Sequence, residues 1–422
     1  MKHLEKNQVL TTLNHGFRSG YSCETQLAIT IQDMLESFDK GRQIDIAILD
    51  FSKAFDTVPH DRLLHKIDQY GIRGNTHKWL ENFLTKRKMR VQLEGVHSDE
   101  ALVDSGVPQG TVLGPILFLC HINDLPDSVK SSVRLFADDC LLYREINTQG
   151  DHDILQQDLT DLESWAEKWG MRFNAKKCYI LSMKKKSHRN YTLNNQVLEQ
   201  VPSNPYLGLQ ISEDLKWKEH INNVTKKANS TLGFLRRNLQ HCPRECRKTA
   251  YIALVRSIME YGAIIWDPYT KQEITKLESI QRRGARFITK DYKSREEGTM
   301  TRMLNELELP SLQDRRKQQR LIFFYKVVEG HIPAIPTDSY IKFQRNKRNI
   351  KPKTFDNFES SNIIRFRSRN NSRPVEIPNS RTEQHRNSFF IRTASDWNQL
   401  SDKIVCAKKI EEFKNAIQQH HD

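Results

Sequence analysis

Three aspartates occupy positions from which a side chain can do chemistry. Asp50 closes the β-rich run Ile44 to Leu49, and Asp138 and Asp139 stand between two apolar runs, Val133 to Phe136 and Cys140 to Tyr143. The second arrangement reads as a β-hairpin with two carboxylates at its tip. Carboxylates on rigid strand ends are well placed to ligate cations. Phosphoryl transfer to or from a nucleotide needs charge neutralisation more than covalent help, and two Mg2+ ions about 3.5–4 Å apart are the usual means. An Asp-Asp pair at a turn also has a plainer meaning, because aspartate bonds its own backbone there. The residues around the pair decide between the two.

Several of those residues suit the same chemistry. The guanidinium of Arg18 matches phosphate oxygens and stays charged, although a solvent-exposed loop arginine has the same sequence signature. Phe55 follows Asp50 by five positions and, without context, is an ordinary core aromatic. Gln109 and Gly110 lie in the Gly/Pro-rich stretch Gly106 to Pro115, where glycine either allows close backbone approach or punctuates a loop. Lys177, with Lys176 beside it, is a candidate general acid.

These groups need a scaffold. Ile44 to Leu49 predicts a strand, Asp61 to Tyr70 an amphipathic helix with Leu63, Leu64 and Ile67 on one face, and Lys88 to Leu93 and Ala101 to Ser105 short strands. A helix follows the glycine-rich stretch to about Leu125. From about Trp217 to Gly330 the pattern is helical throughout, which predicts a separate all-α module. Within it Leu277, Ile280, Gly284 and Ile288 share one helix face, and Arg282, Arg286 and Lys290 lie opposite. Such a basic stripe is commonly a solvated face; behind a nucleotide-handling half it reads as a phosphate-binding one. Beyond Gly330, Lys342, Arg345, Lys347, Arg348, Lys351, Lys353, Arg365, Arg367, Arg369 and Arg373 interleave with Phe343, Phe355, Phe358 and Phe366. That mixture suits single-strand nucleic acid or a solvated tail. A terminal helix is expected from Ala407 to Gln418, with Ile410, Phe413 and Ile417 as its apolar face.

Bulk properties agree with a polyanionic partner. The 422 residues carry 66 Lys and Arg against 52 Asp and Glu, a net charge of +14. A ribosomal or membrane-surface protein would show the same balance. Seven scattered cysteines without a CxxC pair suggest neither a disulfide framework nor a zinc ribbon, and so a reducing compartment. The charged opening residues lack a secretory core, and the apolar runs Val112 to Ile122 and Tyr251 to Trp266 are shorter than the roughly 20 residues that span a bilayer. The expectation is an intracellular protein, nuclear or cytoplasmic, without a membrane partner.

Three blocks carry a family resemblance. Leu49-Asp-Phe-Ser-Lys-Ala-Phe-Asp, Ser105-Gly-Val-Pro-Gln-Gly-Thr-Val-Leu-Gly-Pro and Phe136-Ala-Asp-Asp resemble, in order and wording, motifs A, B and C of reverse transcriptases. They are most similar to those of jockey-like non-LTR retrotransposons. His15-Gly-Phe-Arg-Ser-Gly-Tyr-Ser resembles the block before motif A, Phe173-Asn-Ala-Lys-Lys-Cys motif D, and Tyr206-Leu-Gly-Leu the primer-grip motif E. Ala250-Tyr-Ile-Ala-Leu-Val-Arg, Glu260-Tyr-Gly and Gln281-Arg-Arg look like the family's thumb.

The resemblance implies an α+β right-hand polymerase: fingers remnant and palm over residues 1–212, a helical thumb over 213–330, and a basic C-terminal region over 331–422. Asp50 and Asp138 would bind two Mg2+ ions, with Mn2+ as a substitute, and Asp139 would help hold the site. Lys177 would protonate the pyrophosphate leaving group. Arg18 would meet the triphosphate, Phe55 would exclude a 2′-OH, and Phe51, Gln109 and Gly110 would also face the nucleotide. Tyr206, Leu207 and Gly208 would contact the primer, and Arg282, Arg286 and Lys290 the nucleic-acid backbone. The implied partners are an RNA template, a DNA primer and deoxynucleoside triphosphates. Asp56 reads as structural, its charge suiting the following helix. Because the chain starts almost at the Gly-Phe-Arg block, the endonuclease and part of the fingers would be missing. The alternative expectation is a truncated, catalytically inactive remnant that only binds nucleic acid.

Overall fold

In the computed structural model, residues 1–344 and 371–419 are described. The chain divides into two compact units, Met1–Asn222 and Asn223–Asp422. This differs from the expected 212/213 boundary, because the helix Lys218–Asn238 runs across the junction in sequence.

The first unit is α+β. Its helix α1 (Cys23–Asp39) starts at Ser22, whose side chain accepts from the Thr25 amide while Thr25 reaches back to the Ser22 amide. The strand β1 (Gln43–Leu49) follows, nearly all of it buried, as an Ile-rich central strand requires. Helix α2 (His60–Gln69) buries Leu63 and Ile67, and α3 (Leu113–Ile122) is the first apolar run. The hairpin strands β2 (Ser132–Phe136) and β3 (Asp139–Ile146) come next, then the long helix α4 (Gln149–Trp169). Strands β4 (Tyr179–Met183) and β5 (Glu199–Gln200) complete a five-stranded sheet of order β5-β4-β1-β3-β2. Strand β1 pairs antiparallel with both β3 and β4. One hydrophobic core joins this sheet to α2, α3 and α4 through Ala47, Leu63, Ile67, Phe118, Leu142, Leu155 and Leu159. Outside the sheet, β6 (Ser203–Tyr206) and β7 (Leu209–Ser212) form a hairpin of their own. The run expected as one strand from Lys88 is broken into Arg87–Met89 and Gln92–Leu93.

The second unit is helical among the described residues. Helix α5 (Lys271–Thr289) carries the expected apolar face, with Leu277, Ile280, Gly284 and Ile288 buried. Helix α6 (Leu312–Val328) packs against α7 (Phe389–Trp397) and α8 (Ile410–Gln419). The described part of the C-terminal region therefore belongs to the core of this unit, with Trp397 and Phe413 fully buried. Its expected basic residues 345–369, with Phe355, Phe358 and Phe366, lie outside the described residues. Arg373 pairs with Glu329 at 2.5 Å and covers the ring of Phe343. Among the described residues no helix is long and apolar enough to cross a membrane.

Candidate active site

The three aspartates meet at one end of the sheet. Leu49 pairs with Cys140, so the next step of the ladder sets Asp50 beside Asp139, and Phe136 pairs with Asp139 across the hairpin. The two turn residues are thus Ala137 and Asp138, and Asp139 is the first residue of β3 rather than part of the tip. Ala137 adopts a φ of +55°. Such a two-residue turn demands a positive φ, which costs a non-glycine residue about 1 kcal/mol. Its neighbours hold the residue there: Ala137 is buried, and its amide donates to Asn14 Oδ1 at 3.2 Å.

The carboxylates feel one another. Burial, and then the charge of Asp50, raise the pKa of Asp138. Burial, and then the charges of Asp138 and Asp50, push that of Asp139 up to about 6. Asp139 nevertheless keeps an exposed surface, so solvent screens part of this repulsion. The backbone of Asp50 is fixed by the segment 172–178: Asn174 N donates to Asp50 O at 2.8 Å, and Ser52 N to Arg172 O at 2.8 Å. That clasp brings Lys177 Nζ to 4.0 Å from Asp50 Oδ2. Among the described residues no set of three or more His, Cys, Asp or Glu side chains is gathered closely enough to hold an ion as it stands.

Phe55 is half-buried, stacked on Phe118 at 4.4 Å, with the exposed Phe17 edge-on at 6.2 Å. Gln109 is exposed and its Nε2 donates to Asp56 Oδ1 at 2.8 Å. Gly110 has a φ of +77° with open space around it, so conformation rather than room calls for glycine there. Residues 1–211 match the family described as "Reverse transcriptase (RNA-dependent DNA polymerase)". The chain belongs to the reverse transcriptase family.

Relatives of this reverse-transcriptase chain come from mobile elements, as the jockey-like resemblance implied. It is 27% identical over 308 residues to "Probable RNA-directed DNA polymerase from transposon BS" of Drosophila melanogaster, covering 68% of this chain and 33% of that protein. It is 26% identical over 290 residues to "RNA-directed DNA polymerase from mobile element jockey" of the same organism, covering 65% and 31%. The chain thus spans about a third of the length of the curated relatives it matches. Among solved structures, telomerase from Candida albicans in complex with a fragment of telomeric RNA aligns at 13% identity, with a TM-score of 0.42, over 77% of this chain and 55% of that one.

Other residues singled out by the reverse transcriptase motifs have different surroundings. The Phe51 side chain is 4% exposed and stacks on Phe173 at 4.1 Å, so its ring belongs to the core and is not open to a nucleotide as the motif implied. Tyr206 is likewise buried, its hydroxyl receiving Gln26 Nε2 at 3.3 Å; only Leu207 and Gly208, the turn between β6 and β7, reach the surface. Arg18 donates to the carbonyls of Thr11 at 2.5 Å and Asn14 at 3.4 Å, and covers the Tyr21 ring. Arg282 and Lys290 are exposed, but Arg286 is half-buried and donates to the carbonyls of Asp291 and Ser294 at 3.0 Å, tying down the chain after α5.

One residue escaped the sequence reading, and another gained partners. Asp56, expected to be structural, accepts from Gln109 Nε2 at its carboxylate and from the Ser105 hydroxyl at its backbone carbonyl, linking motifs A and B. Asn14 holds the Ala137 amide from 123 positions away. An asparagine immediately before the His15-Gly-Phe-Arg block was the available signal.

Proposed function

We propose that this chain is an RNA-directed DNA polymerase, extending a DNA 3′ end along an RNA template by nucleotidyl transfer that depends on two divalent cations. The observation that carries the reading is the convergence of Asp50, Asp138 and Asp139 at the end of β1 and β3, where two of the three carboxyls hold protons more tightly than usual. Hard carboxylate oxygens with an excess of negative charge fit Mg2+ or Mn2+. Bound there, such ions would neutralise the triphosphate and polarise the attacking 3′-hydroxyl.

The chain's own groups supply the rest. Asp50, Asp138 and Asp139 orient the charge at the strand ends. Lys177, close to Asp50, is positioned to give a proton to departing pyrophosphate. Phe55, backed by Phe118, forms a flat floor that a 2′-hydroxyl would strike, favouring deoxynucleotides. Gln109, oriented by Asp56, faces solvent and can read the nucleotide or template. The exposed Arg282 and Lys290 suit the nucleic-acid backbone.

A second reading, binding of nucleic acid without catalysis, draws on Arg18, whose Nη1 is already bonded to the Thr11 and Asn14 backbone carbonyls. Primer extension on poly(rA)/oligo(dT) with Mg2+ or Mn2+ separates the two. Incorporation that falls by roughly 10²–10³ in Asp138→Asn supports catalysis. Template-primer binding without incorporation by the folded wild type would leave only the second reading.

A further inference from the structure

The turn bearing Asp138 is supported from outside the sheet. Leu135 N donates to Leu13 O at 2.9 Å and His15 N to Leu135 O at 3.0 Å, so residues 13–15 run alongside β2. At the end of that short pairing the Asn14 side chain turns toward the hairpin. Its Oδ1 accepts from both Gly16 N at 3.0 Å and Ala137 N at 3.2 Å. Asn14 is 2% exposed, and its Nδ2 has no hydrogen-bond partner among the described residues. Next to it the backbones almost touch: a Cβ on Gly16 would lie 2.6 Å from Ala137 N. His15 anchors the other side, its Nδ1 2.8 Å from Thr25 Oγ1 at the start of α1.

We propose that Asn14 is a positioning residue for the Asp138 turn, holding Ala137 in its left-handed conformation so that the Asp138 carboxyl stands where a divalent cation can be shared with Asp50. The inference rests on the metal-dependent reading above. The physical basis is direct. An alanine at positive φ relaxes unless its amide and Cβ are both engaged, and Asn14 with Gly16 engages both. The same segment carries Arg18, bonded back to the Thr11 and Asn14 carbonyls. The group expected at the triphosphate and the turn expected at the metal are therefore mounted on one bracket, and a displacement of either is felt by the other.

Only the acceptor oxygen of Asn14 is used, which makes the test specific. In the full chain, Asn14→Ala should speed hydrogen exchange of the Ala137 amide about tenfold, the loss of one buried hydrogen bond. It should weaken Mn2+ binding, measured by electron paramagnetic resonance, by roughly 10–100-fold, the range for a group that orients a metal ligand. Where extension occurs, kcat should fall in parallel while the template-primer Kd stays unchanged. Asn14→Asp keeps the acceptor and should restore all three to within about threefold, whereas Gly16→Ala should reproduce the Asn14→Ala defect by crowding Ala137. Wild-type exchange and Mn2+ affinity in folded Asn14→Ala or Gly16→Ala, or no rescue by Asn14→Asp, would overturn the proposal. If Asn14→Ala does not fold, the other two variants decide the matter. If the wild type incorporates no nucleotide but the variants still lose Mn2+ affinity, the polymerase reading fails and the positioning role stands.

Discussion

Two clusters of aspartate in this chain are built on opposite principles. In the second unit Asp267 is buried and ringed by cations: Arg316 Nε lies 2.8 Å away, Arg320 Nε 2.9 Å and Arg392 Nη1 3.3 Å. Arg320 also bonds Asp396 and Thr393, fastening α7 to α6. In the first unit Lys177 lies 4.0 Å from Asp50, and Asp50, Asp138 and Asp139 repel one another. The second arrangement works against stability, since like charges held together in a partly buried site disfavour the ionised form. The first cluster is finished within the chain; the second leaves negative charge that the proposed cations would offset.

The comparison can be broken at either end. The largest effect is expected at Asp267. Asp267→Ala leaves three guanidinium groups without their shared anion and should lower unfolding stability by about 3–5 kcal/mol in chemical denaturation; a loss below 1 kcal/mol would mean that the cluster is not a cohesive element. Asp138→Asn should do the reverse, removing incorporation while leaving the denaturation midpoint no lower than that of the wild type. Next comes Lys177. Lys177→Met should reduce kcat by about 10²-fold with little change in nucleotide KM, because a general acid acts in the transition state. A KM effect alone would make Lys177 a binding group.

Asp139 sharpens the contrast through pH. Its folded pKa, about 6, lies above the ordinary carboxyl value, so the stability it contributes is fully present in its protonated form below about pH 4 and is lost as pH rises through 6. Asp139→Asn should therefore raise the Tm at pH 7.5 without divalent cations, and the gain should vanish at pH 4. No gain at pH 7.5 would argue that the local repulsion is already relieved. The smallest effect belongs to α5. Arg282→Gln should weaken template-primer binding and reduce the salt slope by about one, whereas Arg286→Gln should leave that slope alone and lower stability, since its donors are spent on Asp291 and Ser294. Equal slopes for the two variants would remove the distinction.

Much of the site was legible beforehand. The β1 strand, the hairpin and the helical module announce themselves because side-chain periodicity and turn chemistry are local properties. The family motifs added residue roles that periodicity cannot supply. What stayed hidden depended on partners. Phe51 and Phe55 sit four positions apart in one motif, yet Phe51 stacks inside the core on Phe173 and Phe55 stays half-open on Phe118. Arg18 and Arg286 looked like phosphate ligands and are hydrogen-bonded to carbonyls. The apolar face expected on the terminal helix does bury Phe413 and Ile417, but nothing local foretold that Phe389, Phe390 and Trp397 ahead of it would join the core of the helical unit.

The amino-acid order by itself determined that carboxylates cap strand ends, that a hairpin turn near Asp138 and Asp139 joins β2 to β3, and that a basic helix follows. Each of these depends on neighbours within a few residues. Folding decided the rest: which aromatic is exposed, which arginine remains available, and that Asn14 supports a turn 123 positions further on. The reason is that burial and hydrogen-bond choice are settled between segments far apart in sequence, and no local pattern encodes which distant group arrives.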